Sequence, residues 1–362
     1  MAQTPIRTPL ERICKAETPA RADVEDVLRR EDERDCAELF AFADQVRRQY
    51  MGDGILLRGI VEFSNHCRNT CLYCGLHRNN HKLERYHLTA GQVLDSVSLI
   101  ASQNIKTVVL QSGEDDDLDA GWLADLIAEV KSRHDLAVTL SVGEWPTEVY
   151  RMWRQAGADR YLLKIETSDP GLYAAHHPGM SFENRLRCLD DLEALGYQVG
   201  SGCLVGLRGQ TAASLAGDIE FLAKRDFDMI GIGTFIPHPM TELGAQAVGN
   251  VRMTLKVLAL TRIVTRDSHL PATTALGSIG PGDGRIPALQ VGANVLMPSF
   301  TPLPYRRLYD IYPGKRCVTE SPGSCAGCLE SMVTGIGRFL DYSRGDSLKG
   351  RRCHALCELK SS

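Results

Sequence analysis

Aromatic residues are scarce in this 362-residue chain, at 6%, and neither sign of charge is in surplus: 41 lysines and arginines face 45 aspartates and glutamates, a net charge of −4. Without a basic excess there is no general attraction to nucleic acid or to an anionic membrane, so any partner must be recognised locally. No run approaches the roughly 18–20 consecutive apolar residues that cross a bilayer. The opening Met1-Ala-Gln-Thr-Pro-Ile-Arg-Thr8 lacks the apolar stretch of a secretory signal, and a cytoplasmic protein is expected. What remains, 43% hydrophobic and 24% charged residues, is the composition of a globular chain with one large core or two ordinary ones.

Cysteine, by contrast, is abundant, with twelve in the chain. In a reducing compartment, clustered thiols more often bind metal or do chemistry than form disulfides. Cys14, Cys36, Cys188 and Cys203 are isolated and read as small buried hydrophobes. Cys67-Arg-Asn-Thr-Cys71-Leu-Tyr-Cys74 is different: a C-x3-C-x2-C run puts three thiols on one short loop. Three thiolates suit three corners of a 4Fe-4S cubane and leave one iron open, whereas a closed zinc site wants four ligands. Zinc with a distant fourth ligand stays an alternative. Cys317, Cys325 and Cys328 form a second group among Pro313, Gly314, Pro322, Gly323 and Gly327, read as a possible second Fe-S cluster, with zinc or an empty site as alternatives. Cys353 and Cys357 carry no assigned role.

Short β-branched runs alternate with helical periodicity along the chain. Candidate strands are Ile55 to Phe63, Thr107 to Gln111, Ala137 to Ser141, Arg160 to Ile165, Gln198 to Cys203, Met229 to Thr234, Pro271 to Ala275 and Val295 to Met297. Helix signals lie between them: a capping box at Thr89-Ala-Gly-Gln92, starts at Ser181 and Thr211, and a run from Arg252 to Arg266. Eight strands predict an α/β fold, a (β/α)8 TIM-type barrel over residues 52–300. A helical segment over 1–51 is expected to cover its base, and a C-terminal extension over 301–362 carries the second cysteine group. Such barrels do their chemistry at the C-terminal strand ends, and the first cysteine loop follows the first strand.

With Tyr73 before its last cysteine, that loop resembles the radical S-adenosylmethionine superfamily. Further stretches are similar to one family within it, the radical enzymes of FeFe-hydrogenase maturation (HydE): Leu110-Gln-Ser-Gly-Glu-Asp115, Ser141-Val-Gly-Glu-Trp-Pro146, Ser181-Phe-Glu-Asn-Arg185, Asp228-Met-Ile-Gly-Ile-Gly233, Pro237-His-Pro239, Pro271-Ala-Thr-Thr274 and Tyr312-Pro-Gly314. The similarity runs from about residue 10 to 340. The sister methylornithine synthase family shares the barrel, but its motifs fit less well.

The resemblance implies a site-differentiated 4Fe-4S cluster on Cys67, Cys71 and Cys74, with S-adenosylmethionine chelated to the open iron and cleaved reductively to a 5'-deoxyadenosyl radical. It implies cofactor contacts from Tyr73, Ser112, Gly113, Glu114, Thr139, Ser141, Glu166 and Arg185. Within that set, Gly113-Glu114 would seat the methionine ammonium, Glu166 the ribose hydroxyls and Arg185 the carboxylate. Arg58, Gln111, Lys164, Thr273, Thr274, Met297 and Tyr309 would face a small cysteine-derived, organometallic iron substrate. A flavodoxin- or ferredoxin-type electron donor and other hydrogenase maturases are the implied partners. The second cysteine group would match an accessory cluster.

The chain departs from the family at the end of the fourth strand, where Arg-His-Glu-Thr is usual and Lys164-Ile165-Glu166-Thr167 stands. Lysine is a flexible point charge where arginine grips a carboxylate with two bonds. This change suggests one rival reading, a HydE-like paralogue acting on another small amino-acid-like molecule, and the C-terminal thiols give some support to another, a non-catalytic Fe-S carrier or scaffold. His66, His176 and His177 read as surface residues, and His238 as a loop cap.

Overall fold

The computed structural model describes residues 4–280, 282–320 and 325–349. Three helices open the chain: α1 (Arg7–Lys15), α2 (Arg21–Arg29) and α3 (Glu33–Met51). Next come β1 (Gly54–Leu57) and β2 (Gly59–Ser64), which divide the predicted first strand at Arg58. The remaining strands are β3 (Thr107–Ser112), β4 (Ala137–Ser141), β5 (Arg160–Leu162), β6 (Gln198–Ser201), β7 (Leu204–Val205), β8 (Met229–Ile230), β9 (Gly233–Thr234), β10 (Val295–Leu296) and β11 (Phe339–Asp341).

The main sheet runs β2-β3-β4-β5-β6-β8, with every pairing parallel. Parallel bridges Met229–His269, Pro271–Val295 and Ile60–Ser299 carry the pairing onward through residues 269–271 and β10 and back to β2. Eight parallel segments therefore form a ring, as the strand pattern predicted. All six residues of β2 are buried, as expected where helices cover the outside of a parallel sheet and side chains fill the inside.

Outside the ring lie α4 (Ala90–Ser102), α5 (Ala120–Arg133), α6 (Thr147–Ala156), α7 (Pro170–His176), α8 (Phe182–Ala194), α9 (Ala212–Arg225) and α10 (Val251–Thr265). The Thr89–Gln92 capping box is formed: the Thr89 hydroxyl accepts from the Gln92 N–H, and the Gln92 side chain accepts from the Thr89 N–H at 2.9 Å. Thr211 forms the same reciprocal box with Ser214 at the start of α9, and the Ser181 hydroxyl accepts from Asn184 N at the start of α8, satisfying N–H groups that a helix start leaves unpaired.

Two expectations are corrected. Pro271 to Ala275 is not a strand: only Pro271 bridges, and a helical turn, α11 (Thr274–Gly277), follows Thr273 at once. Proline has no N–H for a ladder, so pairing stops there. Nor do the N-terminal helices cover the base. They pack on α9 and α10, and α10 is consequently buried on nearly every face.

The base is instead closed by residues 344–347. Arg160, the first residue of β5, donates to Arg344 O (2.9 Å) and Asp346 Oδ1 (2.7 Å). The Thr107 hydroxyl at the start of β3 donates to Arg344 O, and Gln198 at the start of β6 donates to Asp346 Oδ1. A second tie lies on β2, where the buried Glu62 carboxylate accepts from Ser299, Thr301 and Lys315 Nζ (2.6 Å). Burial pushes the Glu62 carboxyl up, but Lys315 and the two hydroxyls outweigh it and hold it below the usual glutamate range. The C-terminal extension is thus held to the barrel at these two places and also through β11, which pairs in parallel with β1.

Candidate active site

At the C-terminal ends of the strands lies a cavity of about 390 Å³. One wall is the loop from Cys67 to Cys74, whose backbone is tied at once to several of the segments that follow the strands. Arg68 N donates to Glu114 O (2.7 Å), Leu72 N to His176 O (3.1 Å) and Gly75 N to Ile311 O (3.0 Å), while Tyr73 O accepts from His238 N (2.9 Å). Two glycines allow this. A Cβ on residue 75 would lie 2.0 Å from Asp310 O, and one on residue 113 would lie 2.2 Å from His66 O. Gly113 therefore serves the seating of the cysteine loop, a reason beyond the ligand approach the sequence suggested.

Cys67, Cys71 and Cys74 all line the cavity. Burial pushes the Cys74 thiol up to about 12, with Cys67 adding to it. Burial and then the neighbouring Cys74 and Cys67 push the Cys71 thiol well above the usual range. Three such thiols ionise together only against a multiply positive group. Among the described residues, the only three His, Cys, Asp or Glu side chains with ligand atoms all within 4.8 Å of one another are His66, His87 and Asp115. At least one pair of the three cysteine sulfurs is therefore farther apart than the roughly 3.8 Å edge implied by a single tetrahedral zinc with bonds of about 2.3 Å. Wide spacing and three-thiol chemistry fit an Fe-S cluster.

Behind the thiols, Arg185 is buried among acids. Its Nε donates to Glu144 Oε1 (2.6 Å), one Nη to Glu114 Oε1 (3.1 Å) and the other to Lys164 O (2.7 Å). Burial alone would lower the guanidinium's pKa, but Glu114, Tyr173 and Glu144 raise it well above the usual value, so the charge is fixed. Opposite, Lys164 Nζ donates to Glu166 Oε2 (2.9 Å). Glu166 sits at φ +64°, a left-handed conformation that is strained for a side-chain-bearing residue and common at binding sites.

Asp218 on α9 holds the segment after Glu166. Its Oδ1 accepts from Ser168 N (2.5 Å), the Ser168 hydroxyl (2.8 Å) and the Thr167 hydroxyl (3.2 Å). Burial nonetheless pushes the carboxyl up to about 6. A folded value above the unfolded one means the folded protein keeps a proton that the unfolded chain releases. Stability therefore falls as pH rises from about 4 to about 6, by on the order of 2–3 kcal/mol. Asp218→Asn keeps the accepting oxygen and should flatten that part of the profile. Melting curves between pH 4 and 7 check this, and an unchanged slope would refute it.

Of the residues named from sequence, Tyr73, Gln111, Ser112, Gly113, Glu114, Ser141, Lys164, Glu166, Arg185, Thr273, Thr274, Met297 and Tyr309 join the three cysteines around this one cavity. Arg58 and Thr139 do not; they lie deeper, in a small separate void with Arg160 and His269. Thr139 shares a face with Ser141, but two residues along a strand is about 6.6 Å, enough to move it out of the mouth. Arg58 sits at the break between β1 and β2, against Met229 Sδ and Gly345 O.

Ile165 is fully buried and does not line the cavity, so the departure from the family pattern narrows to Lys164. His176 and His177 are buried rather than superficial. His177 lines the cavity: its Nδ1 donates to Tyr173 O, so its Nε2 accepts from Tyr73 OH at 2.9 Å. Burial pushes this imidazole down to about 4, leaving it neutral. His238 caps a loop as expected, accepting from Met240 N.

Glu144, Met180 and Tyr312 are site residues that sequence reasoning missed. Glu144 alone had a signal, an acid three residues beyond β4 at the mouth. Of the second cysteine group, Cys317 is half-buried and Cys328 exposed, away from the cavity. The Cys325 side chain, Cys353 and Cys357 lie outside the described residues. No helix among the described residues is long and apolar enough to cross a membrane.

Residues 61–222 match the family model of the Radical SAM superfamily. Among solved structures, methylornithine synthase (PylB) superposes with a TM-score of 0.81 at 24% identity, over 92% of this chain and 97% of that one. The FeFe-hydrogenase maturase HydG from Carboxydothermus hydrogenoformans gives 0.77 at 19%, over 93% and 79%. Fold, thiol loop and family match together define a radical S-adenosylmethionine enzyme, a class that implies a 4Fe-4S cluster and S-adenosylmethionine as cofactors. The [FeFe] hydrogenase maturase subunit HydE of Thermotoga maritima is 51% identical over 300 residues, covering 83% of this chain and 86% of the relative. This chain belongs to the HydE family.

Proposed function

We propose that this enzyme cleaves S-adenosylmethionine reductively and acts on a small cysteine-derived iron compound during assembly of the FeFe-hydrogenase di-iron centre. The observation that carries the reading is the continuity of one cavity, from the three thiols through Glu114 and Arg185 to Lys164, Thr273, Thr274, Met297 and Tyr309. Cys67, Cys71 and Cys74 would hold the cluster. When bound, cluster and sulfonium together supply a 5'-deoxyadenosyl radical.

The chain's own residues do the rest. Ser112, Gly113, Glu114, Ser141, Glu166 and Arg185 would orient the cofactor, with Tyr73 fixed by the neutral His177. The Thr274 hydroxyl is held by Tyr312 (2.6 Å), while Thr273 has only a long contact to Ile232 O (3.4 Å), which leaves it available to a ligand. Filling of the cavity by cofactor and substrate would exclude water from a reactive radical. A one-electron donor of the flavodoxin or ferredoxin type would supply the reducing equivalent, and other hydrogenase maturases would be its working partners.

The test is anaerobic reconstitution, reduction and measurement of 5'-deoxyadenosine. Product above background supports the enzyme, and none leaves an Fe-S carrier. Lys164 favours a second reading, a HydE-like enzyme for another amino-acid-like substrate, because its charge is shared with Glu166 rather than presented as a fork. Lys164→Ala is expected to raise the substrate KM about 10- to 100-fold, the worth of a charge-assisted bond, with little change in Tm. An unchanged KM would remove Lys164 from the substrate site.

A further inference from the structure

Beside the cysteine loop, but outside the cavity, three side chains from three segments converge: His66 after β2, His87, which bridges Ser64, and Asp115 after β3. Their ligand atoms all lie within 4.8 Å of one another, and Asp115 Oδ2 is 2.6 Å from His87 Nε2. The buried carboxylate is oriented from behind. Its Oδ2 accepts from the Ser64 hydroxyl (2.8 Å) and its Oδ1 from Asp117 N (3.1 Å). Such outer partners hold a ligating carboxylate in place.

The two imidazoles are stacked at 4.2 Å, 21° from parallel, and no hydrogen bond engages the His66 ring nitrogens among the described residues. Arg85, whose charge reaches His66, is spent on the carbonyls of Asn65, Leu76 and His77. An oriented carboxylate and two imidazoles, one with no hydrogen bond on its ring, are thus gathered with no lysine or arginine paired to them among the described residues.

We propose that His66, His87 and Asp115 bind a divalent first-row transition cation, at a site distinct from the thiol loop. Two imidazoles and one carboxylate are the ligand chemistry of zinc, cobalt, nickel or ferrous iron, with remaining positions open to water. Bonds of about 2.0–2.2 Å put neighbouring ligand atoms roughly 3 Å apart. The His87–Asp115 pair is already close to that, and a turn of the half-exposed His87 ring would bring the remaining ligand atoms, now within 4.8 Å, onto the ion. Because His66 directly precedes Cys67, an ion here would tie the cysteine loop to the end of β3.

The probe is Zn2+, added anaerobically to cluster-reconstituted, chelator-washed full-length enzyme and followed by calorimetry and elemental analysis. One zinc per chain is expected at micromolar affinity, weakened in both His87→Ala and Asp115→Asn by more than the roughly 10- to 100-fold that loss of an outer partner alone costs. Iron content and Tm report folding, and His87→Ala, at a half-exposed position, guards against a folding failure of Asp115→Asn. The proposal is overturned if wild type takes up no stoichiometric zinc. It is also overturned if the zinc persists in both His66→Gln and His87→Ala, which would assign it to free thiols.

Discussion

In Cys71→Ala, 5'-deoxyadenosine formation should fall to background, a loss of about a thousandfold or more. Changes outside a metal's ligand set typically cost about 10- to 100-fold, and here one of only three ligands is removed. Folding should be spared. Cys71 sits half-buried at the cavity wall, where the one hydrogen bond of its thiol among the described residues is a weak one to Met180 Sδ at 3.9 Å, so the metal-free variant should melt within about 1 kcal/mol of wild type. Cys328→Ala is the matched control. Cys328 is exposed and away from the cavity, so it should retain product formation within a few-fold while losing any iron held by the C-terminal group. Product from Cys71→Ala, or none from Cys328→Ala, would each contradict the assignment of the catalytic cluster to the first loop.

That assignment was legible because its signal is local: three thiols, a spacing and a place after the first strand. The barrel was legible for a related reason, since strands such as β3 and β4 are β-branched runs whose burial needs no partner residue to be known. Depth along the barrel was not. Thr139 and Ser141 share a face by alternation, yet one lines the mouth and the other a void beneath it, and only the three-dimensional register separates them.

The closure of the base was equally hidden. Arg344 and Asp346 look like solvated charges in a tail, and their role depends on Arg160, nearly two hundred residues earlier. Reading His177 as surface failed because its burial comes from the contact of α7 with the cysteine loop, through Tyr73 and the Leu72–His176 backbone bond. Lys164 and Ile165, adjacent in sequence, part company once folded: one faces the cavity and the other the core.

The Arg185 network carries the second large effect. Arg185→Leu has nearly the right volume but leaves Glu144 and Glu114 buried without their shared cation, with Asn184 (2.7 Å) and the more exposed Arg68 (3.4 Å) as what remains. Stranding buried carboxylates costs about 3–5 kcal/mol, and in a protein of this size the Tm should drop by on the order of 5–10 °C. The loss should reach the cofactor site as well. The guanidinium also holds Lys164 O, so its removal frees the segment leading to the strained Glu166 and should weaken S-adenosylmethionine binding at least about tenfold. Arg185→Lys separates the two effects. A point charge can still neutralise the acids and recover most of the melting temperature, but it cannot make the three-way fork, so cofactor affinity should stay low. If Arg185→Lys recovered both, the arginine would act through charge alone. If Arg185→Leu melted with wild type, the two glutamates would have to be solvated in solution, and the buried triad would not be what holds this wall of the cavity.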